Sequence, residues 1–174
     1  MSLILKQERI GKNDVPFTVY KIRTMKKGSE KDTSVFFDKY AQLDSRITKF
    51  GKKARPKGLD EIPQIINIIW KGNMTWVGPR PLMPRDWDVL NQNNDPMYKN
   101  VNWNVLLSVK PGLIGAGYIR QENSFFAVRK LELEYVEKRQ EYLGKGEAGK
   151  AFWLAVKTGS TVIRNILTGK VKNV

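Results

Sequence analysis

The apolar residues at the start of the chain fall into two short blocks, "LILKQERIG" and "PFTVYKIRTM", both rich in β-branched and aromatic side chains. Between them "GKND" has turn chemistry, so a β-hairpin is predicted. The polar stretch "KKGSEKDT" marks a loop. Beyond it Phe36, Tyr40, Leu43, Ile47 and Phe50 recur at helical spacing, which predicts a helix that ends near Gly51 and packs its aromatic stripe into the core. From 59 to 71 the spacing is helical again. Leu59, Ile62, Ile66, Ile69 and Trp70 share one broad face, with Asp60, Gln64, Asn67 and Lys71 opposite. Pro63 fits only in a first turn, where backbone N–H groups have no intrahelical partner, so this helix begins close to Asp60.

"GPRPLMP" is too proline-rich for regular structure, "NQNNDP" is a loop signal, and "SVKPGLIGAGYIRQ" reads as a turn followed by an extended segment. Residues 125–143 look helical, with Leu131, Tyr135 and Tyr142 nearly aligned. "GKGEAGK" then interrupts before a last basic helix from about 151 to 168. No linker divides the chain, so one domain is expected over 1–174. Its class is α+β: helix-dominated, opening with a β-hairpin, with amphipathic helices on one side.

Composition narrows the chemistry. With 31 Lys and Arg against 17 Asp and Glu the formal charge is +14, which points to polyanionic partners: nucleic acid, anionic lipid or phosphorylated metabolites. There is no cysteine and no histidine, which excludes disulfides, a cysteine nucleophile and a zinc site of the usual kind. Acid, base and nucleophile must come from Asp, Glu, Lys, Tyr or Ser. No apolar run approaches the length needed to cross a bilayer, and "MSLILKQERIG" has no signal-peptide pattern.

Between Arg46 and Leu59 the charged residues are all basic: Arg46, Lys49, Lys52, Lys53, Arg55 and Lys57. Two adjacent carboxylates, Asp60 and Glu61, follow at once. Neighbouring guanidinium groups and the positive end of a helix both favour an ionised Asp60, the form in which a carboxylate can act as a nucleophile. A helix cap at Asp60 with Glu61 complementing the dipole is the other reading of the same pair. "VGPRP" holds Arg80 between two prolines, presenting either a guanidinium fork suited to phosphate oxygens or an ordinary surface turn.

Taken in order, "PFTVYKIRTM", "FGKKARPKGLDEIPQIINIIWKGNMTWVGPRP", "KPGLIG" and "ELEYV" closely resemble the bacterial sugar transferase family, the monotopic polyprenyl-phosphate phosphoglycosyl transferases. The resemblance covers residues 4 to 143. It implies an enzyme that moves a phosphosugar from a nucleotide-activated sugar, usually a UDP-sugar, to polyprenyl phosphate, with UMP as the other product. The family's Asp-Glu dyad falls on Asp60 and Glu61, so the resemblance implies that Asp60 attacks the β-phosphate and forms a covalent phosphosugar intermediate. It also implies Mg²⁺ held at Asp60 or Glu61 alongside substrate phosphates, and nucleotide or phosphate binding by Lys21, Arg55, Gly78, Pro79, Arg80 and Pro81. Those matches are intact. The family commonly has Asp at Asn73, Thr at Ile114, Gln at Tyr118 and Asp at Glu132; Glu132 keeps the charge and is expected to assist metal or phosphate binding.

Family members begin with a hydrophobic re-entrant helix, and this chain starts just after where that helix would end, so a catalytic domain trimmed of it is expected. The implied location is the cytoplasmic face of the bacterial inner membrane. In the last helix Phe152, Trp153, Val156, Val162, Ile163, Ile166 and Leu167 alternate with Lys150, Lys157, Arg164 and Lys170. Such a helix can either lie in the headgroups of an anionic membrane or pack on the core with solvated lysines. A nucleic-acid-binding module is the first rival, motivated by charge alone; zinc-finger spacing, ribonucleoprotein-type aromatics and basic heptads are all missing, so no nucleic acid is expected as a partner. An inert relative that scaffolds a polysaccharide-assembly complex is the second.

Overall fold

A computed structural model describes residues 3–26, 28–29, 45–84, 101–119 and 125–170. The architecture is α+β, as the sequence pattern predicts. Strands β1 (Ile4–Ile10) and β2 (Pro16–Ile22) form an antiparallel hairpin that pairs Leu5 with Lys21, Gln7 with Val19 and Arg9 with Phe17. Its turn matches "GKND": Asn13 and Asp14 adopt positive φ, which Asn and Asp tolerate better than other residues with a Cβ. Side chains of a strand alternate between faces, so these paired residues share one side of the hairpin, where Arg9 and Lys21 are partly covered and Val19 is wholly buried.

The helix expected to end near Gly51 lies partly outside the described residues, at Phe36, Tyr40 and Leu43. The remainder is corrected. Ile47 forms a bridge with Met25, and α1 (Lys49–Ala54) starts only after Thr48, whose hydroxyl accepts the Gly51 N–H at 3.0 Å. Gly51 is therefore inside a helix, and a Cβ there would sit 2.4 Å from the carbonyl oxygen of Thr24. The helical spacing of 36–50 runs across a bridge and a cap, which periodicity cannot detect.

After α1 the chain makes a 3-10 turn at Arg55–Lys57, reverses at Gly58 with φ 67°, and winds as a second 3-10 segment, Leu59–Gln64, before α2 (Ile65–Ile69). Glu61 and Gln64, one 3-10 turn apart, are both buried, as is Asn67 on α2. The two faces of the 59–71 segment are largely those expected, but their orientation inverts the usual rule: Asp60, Gln64 and Asn67 of the polar side face the protein, Lys71 lies in solvent, and Leu59, Ile62, Ile66, Ile69 and Trp70 are exposed, Trp70 at 74%.

Strands β3 (Thr75–Gly78) and β4 (Gly112–Gly115) pair in parallel, Thr75 opposite Gly112 and Gly78 opposite Gly115, with α3 (Trp103–Leu107) lying between them in sequence. The expected extended segment after Pro111 is β4, followed by a 3-10 turn over Ala116–Ile119. The loop expected at "NQNNDP" lies outside the described residues. Helices α4 (Phe125–Gly144) and α5 (Ala148–Leu167) follow close to their predicted bounds. A core of Val101, Leu106, Ala116, Tyr135 and Val136 joins α4 to the strands, and Val77 and Leu154 pack against it.

The β3/β4 contact is too close for side chains. A Cβ on Gly112 would fall 2.1 Å from the backbone nitrogen of Gly78, and both neighbours are main chain that cannot step aside. Gly112→Ala is accordingly expected to cost about 2–3 kcal/mol in urea denaturation. Gly149→Ala, in α5 with open space around it, should be neutral or mildly stabilising.

Candidate active site

The acidic pair sits where the hairpin, the 3-10 segment and the "GPRP" stretch meet. Glu61 is held by two cations on one oxygen: Lys21 Nζ donates to its Oε1 at 2.9 Å, and Arg80 Nη2 donates to the same atom at 3.0 Å. Lys21 comes from β2, on the hairpin face it shares with Arg9. Arg80 comes from the chain leaving β3. Arg55, after α1, donates from Nε to the Thr24 hydroxyl at 2.9 Å.

Asp60 and Glu61 are equally covered, at 8% exposure each, yet they are held differently. Burial alone would raise Glu61, but Arg80 and Lys21 outweigh it and hold the carboxyl down to about 2. For Asp60 burial wins: it pushes the carboxyl up, Lys21 and Arg55 offset this in part, and the charge of Glu61 works against them. This corrects the expectation that surrounding cations would set the direction at Asp60. The capping alternative also falls away, because Gly58 occupies the N-terminal cap and no side chain caps that turn. Among the described residues no side chain hydrogen-bonds to Asp60; its carboxylate is held by its own backbone N–H and by the nearby charges of Lys21 and Arg55.

Lys21 is pushed down by burial and by the like charges of Arg80 and Arg9, even though Glu61 pulls it up. Both partners of the pair shift downward for different reasons: Lys21 chiefly because burial disfavours its charge, Glu61 because two cations outweigh its own burial. Arg9, Lys21, Arg55 and Arg80 gather around Asp60 and Glu61, a set of cations to which a phosphate anion would be attracted. A shallow cleft that opens to solvent and encloses only about 10 Å³ lies over the cluster, lined by Arg9, Lys21, Glu61, Gln64 and Arg80 among others. Asp60 is not in its lining; Lys21 is coupled both to it and to the cleft-facing Glu61.

The other sequence-marked residues divide by what they touch. Pro81 lines the cleft, whereas Gly78 and Pro79 are buried: the Pro79 carbonyl accepts the Gly112 N–H at 2.9 Å, and Gly78 lets the two strands approach. Glu132 is wholly buried in α4, accepting the Arg80 N–H on Oε1 at 2.8 Å and the Arg129 guanidinium on Oε2 at 2.7 Å. Burial pushes its carboxyl up and Arg129 pulls it back. Both oxygens are engaged, and Glu132 meets the cluster through the Arg80 backbone. Tyr118 accepts from Arg80 Nη1 at 3.0 Å. Asn73 accepts from Asn67, which also donates to the Thr18 carbonyl and so ties α2 to the hairpin.

Sequence reasoning missed Arg9, Thr24, Gln64 and Arg129. Arg9 could have been found from the hairpin register, which sets it on the same face as Lys21, and Arg129 from its i, i+3 spacing to Glu132. Thr24 and Gln64 carry no such signal.

The profile of the bacterial sugar transferase family matches residues 1–159. The chain is 34% identical over 132 residues to an uncharacterized sugar transferase, EpsL, of Bacillus subtilis, covering 76% of this chain and 58% of that one. It is 34% identical over 160 residues to the UDP-glucose:undecaprenyl-phosphate glucose-1-phosphate transferase of Klebsiella pneumoniae, with 89% and 30% covered. To the UDP-N-acetylgalactosamine-undecaprenyl-phosphate N-acetylgalactosaminephosphotransferase of Aeromonas hydrophila it is 29% identical, with 94% and 35% covered. The chain thus spans less than two thirds of the length of each of these relatives. The residues that build the cation-lined cleft and its acidic pair all fall inside the matched span, and the chain belongs to the bacterial sugar transferase family.

Proposed function

We propose that the protein transfers a phosphosugar from a UDP-sugar to a polyprenyl phosphate, releasing UMP, by way of a covalent aspartyl-phosphosugar intermediate on Asp60. The observation that carries this reading is the division of labour in the acidic pair. Glu61 is fixed between Lys21 and Arg80, while Asp60 beside it accepts no side-chain hydrogen bond among the described residues and is left to react. Two family relatives are named for transfer from UDP-sugars to undecaprenyl phosphate.

In the proposed first step an Asp60 oxygen attacks the β-phosphorus of the donor. The new O–P bond forms as the bond from that phosphorus to the bridging oxygen breaks, and UMP leaves with the electron pair. In the second step an oxygen of the polyprenyl phosphate attacks the same phosphorus and Asp60 departs as carboxylate, giving the polyprenyl-diphospho-sugar. Splitting the transfer in this way replaces one difficult displacement by two easier ones. Negative charge gathers on the phosphoryl oxygens, and Lys21 and Arg80, already fixed by Glu61, counter it without reorganising.

Mg²⁺ fits this set. Among the described residues no group of three acidic side chains could hold a metal by itself, and Glu61 Oε1 is occupied by two cations. Asp60, or the second oxygen of Glu61, would hold it, sharing the ion with substrate phosphates as Mg²⁺ commonly does. Once bound, the ion would supply positive charge to the diphosphate. Intact mass spectrometry after mixing with a panel of UDP-sugars tests the reading: a phosphosugar adduct on Asp60 is expected, and no adduct together with no UMP release from any donor would end it.

Among the described residues no helix is long and apolar enough to cross a membrane. The exposed row Leu59, Ile62, Ile66, Ile69 and Trp70, with Phe152, Trp153, Val156, Ile163 and Leu167 on α5, is instead proposed to rest on the cytoplasmic face of an anionic membrane, next to Lys157 and Arg164. Cosedimentation with vesicles containing phosphatidylglycerol should show binding, weakened roughly tenfold by Trp70→Glu with Trp153→Glu, since each indole contributes a large apolar area. Equal binding by the variant would remove these faces from docking.

A further inference from the structure

Arg80 is held from every direction. Its N–H donates to Glu132, its carbonyl oxygen accepts from Arg129 Nη1 at 2.6 Å, and Arg129 Nη1 also donates to Glu132 at 2.7 Å. A single ion pair on α4 therefore grips the backbone on both sides of the Arg80 Cα. Pro79 and Pro81 have no N–H to offer, so this grip falls on the one donor the segment has. At the far end Nη1 meets the Tyr118 hydroxyl and Nη2 meets Glu61 Oε1, with the guanidinium carbon 5.7 Å from the centre of the Tyr118 ring.

The surroundings are built to admit these groups. A Cβ on Gly117 would lie 2.9 Å from Glu132 Cγ and 2.5 Å from the Val128 carbonyl oxygen, and one on Gly115 would lie 2.9 Å from the Tyr118 ring. The two glycines of "LIGAGY" thus make room for Glu132 and Tyr118. Arg129 and Glu132 are 5% and 0% exposed. A buried ion pair is seldom more stabilising than apolar residues of the same size, so its geometric consequence, a fixed Arg80, is the feature that an apolar pair could not reproduce.

We propose that Arg129, acting with Glu132 and Tyr118, is a positioning residue that sets the Arg80 guanidinium over the cleft for a diphosphate. In this role Arg129 works through Arg80, whose carbonyl it holds. The activity readout rests on the phosphosugar-transfer reading above, whereas the binding readout does not.

The test is a double-mutant cycle in the full chain. Arg129→Lys and Tyr118→Phe are each made in the wild-type and Arg80→Ala backgrounds, with UMP release from a UDP-sugar and calorimetric binding of inorganic pyrophosphate both measured. Each single variant is expected to lose about tenfold in kcat/KM and in pyrophosphate affinity, and to change either by less than about twofold once Arg80 is Ala, because a residue acting through another has nothing further to remove. Equal losses in both backgrounds, or no loss in either, overturn the proposal. Should Arg129→Lys fail to fold, Tyr118→Phe carries the cycle, since it removes only a hydroxyl. A wild type that binds pyrophosphate without releasing UMP defeats the transfer reading while leaving the cycle readable; one that does neither overturns both.

Discussion

Replacing Asp60 with Asn is expected to lower UMP release by at least about a thousandfold, the scale on which loss of a covalent nucleophile is felt, and to leave the fold no less stable than before. The second half of this expectation follows from burial. Because the folded state raises the Asp60 pKa, the ionised form is the one the fold disfavours. Linkage gives the sign: an acid with a raised folded pKa destabilises the fold as pH climbs through that pKa, so at neutral pH a neutral isostere removes a penalty. Thermal denaturation of Asp60→Asn should give a midpoint equal to or above that of the wild type, and the intact-mass adduct should vanish. The same shift predicts that wild-type activity declines as pH falls through the raised value, since a protonated carboxyl cannot attack. Retained turnover in Asp60→Asn would remove this residue from the role of nucleophile; a large drop in midpoint would show that its charge holds the fold together.

Much of this arrangement could be read before any coordinates, and the reasons for the misses are physical. The hairpin, β4 and the two long helices were legible because each carries a local signal: turn residues, a Pro-Gly boundary, or a sustained helical stripe. The acidic pair and Arg80 were legible through their flanking prolines and charges. The helix assigned to 36–50 failed at its described end because a capping threonine and a β-bridge both fit helical spacing. The direction of the Asp60 shift failed for a different reason. Sequence neighbours reveal which charges are close, but burial is decided by the hairpin packing over the 3-10 segment, and that is a tertiary fact. The orientation of the 59–71 faces is tertiary too, because periodicity separates apolar from polar without saying which side meets the protein. Glu132 was found as a charge on α4; that its oxygens hold Arg80 depends on glycines fifteen or more positions away, whose significance appears only when the space around them is seen.

Glu61→Gln should be the most damaging single substitution to stability, with an expected loss of about 3–5 kcal/mol in urea denaturation at neutral pH. Glu61 is the counter-charge for Lys21 and Arg80, and removing one partner of a buried group of charges leaves the rest uncompensated. Its lowered pKa points the same way: a fall from 4.5 to about 2 corresponds to about 3 kcal/mol. The sign fixes where the loss is visible: an acid with a depressed folded pKa contributes fully above its unfolded value and loses that contribution as pH falls through the folded one. The stability gap between wild type and Glu61→Gln should therefore be widest above about pH 5 and close progressively between pH 4.5 and 2. Lys21, already pushed down by burial and by Arg80 and Arg9, loses the carboxylate that pulls it up most strongly. Its charged form is then disfavoured further, which weakens the countercharge available to a phosphoryl group. Activity should fall along with stability, and by more than the unfolded fraction accounts for. An unchanged urea midpoint, or a gap that stays constant from pH 6 to pH 3, would mean that Glu61 is not what holds the two cations in place.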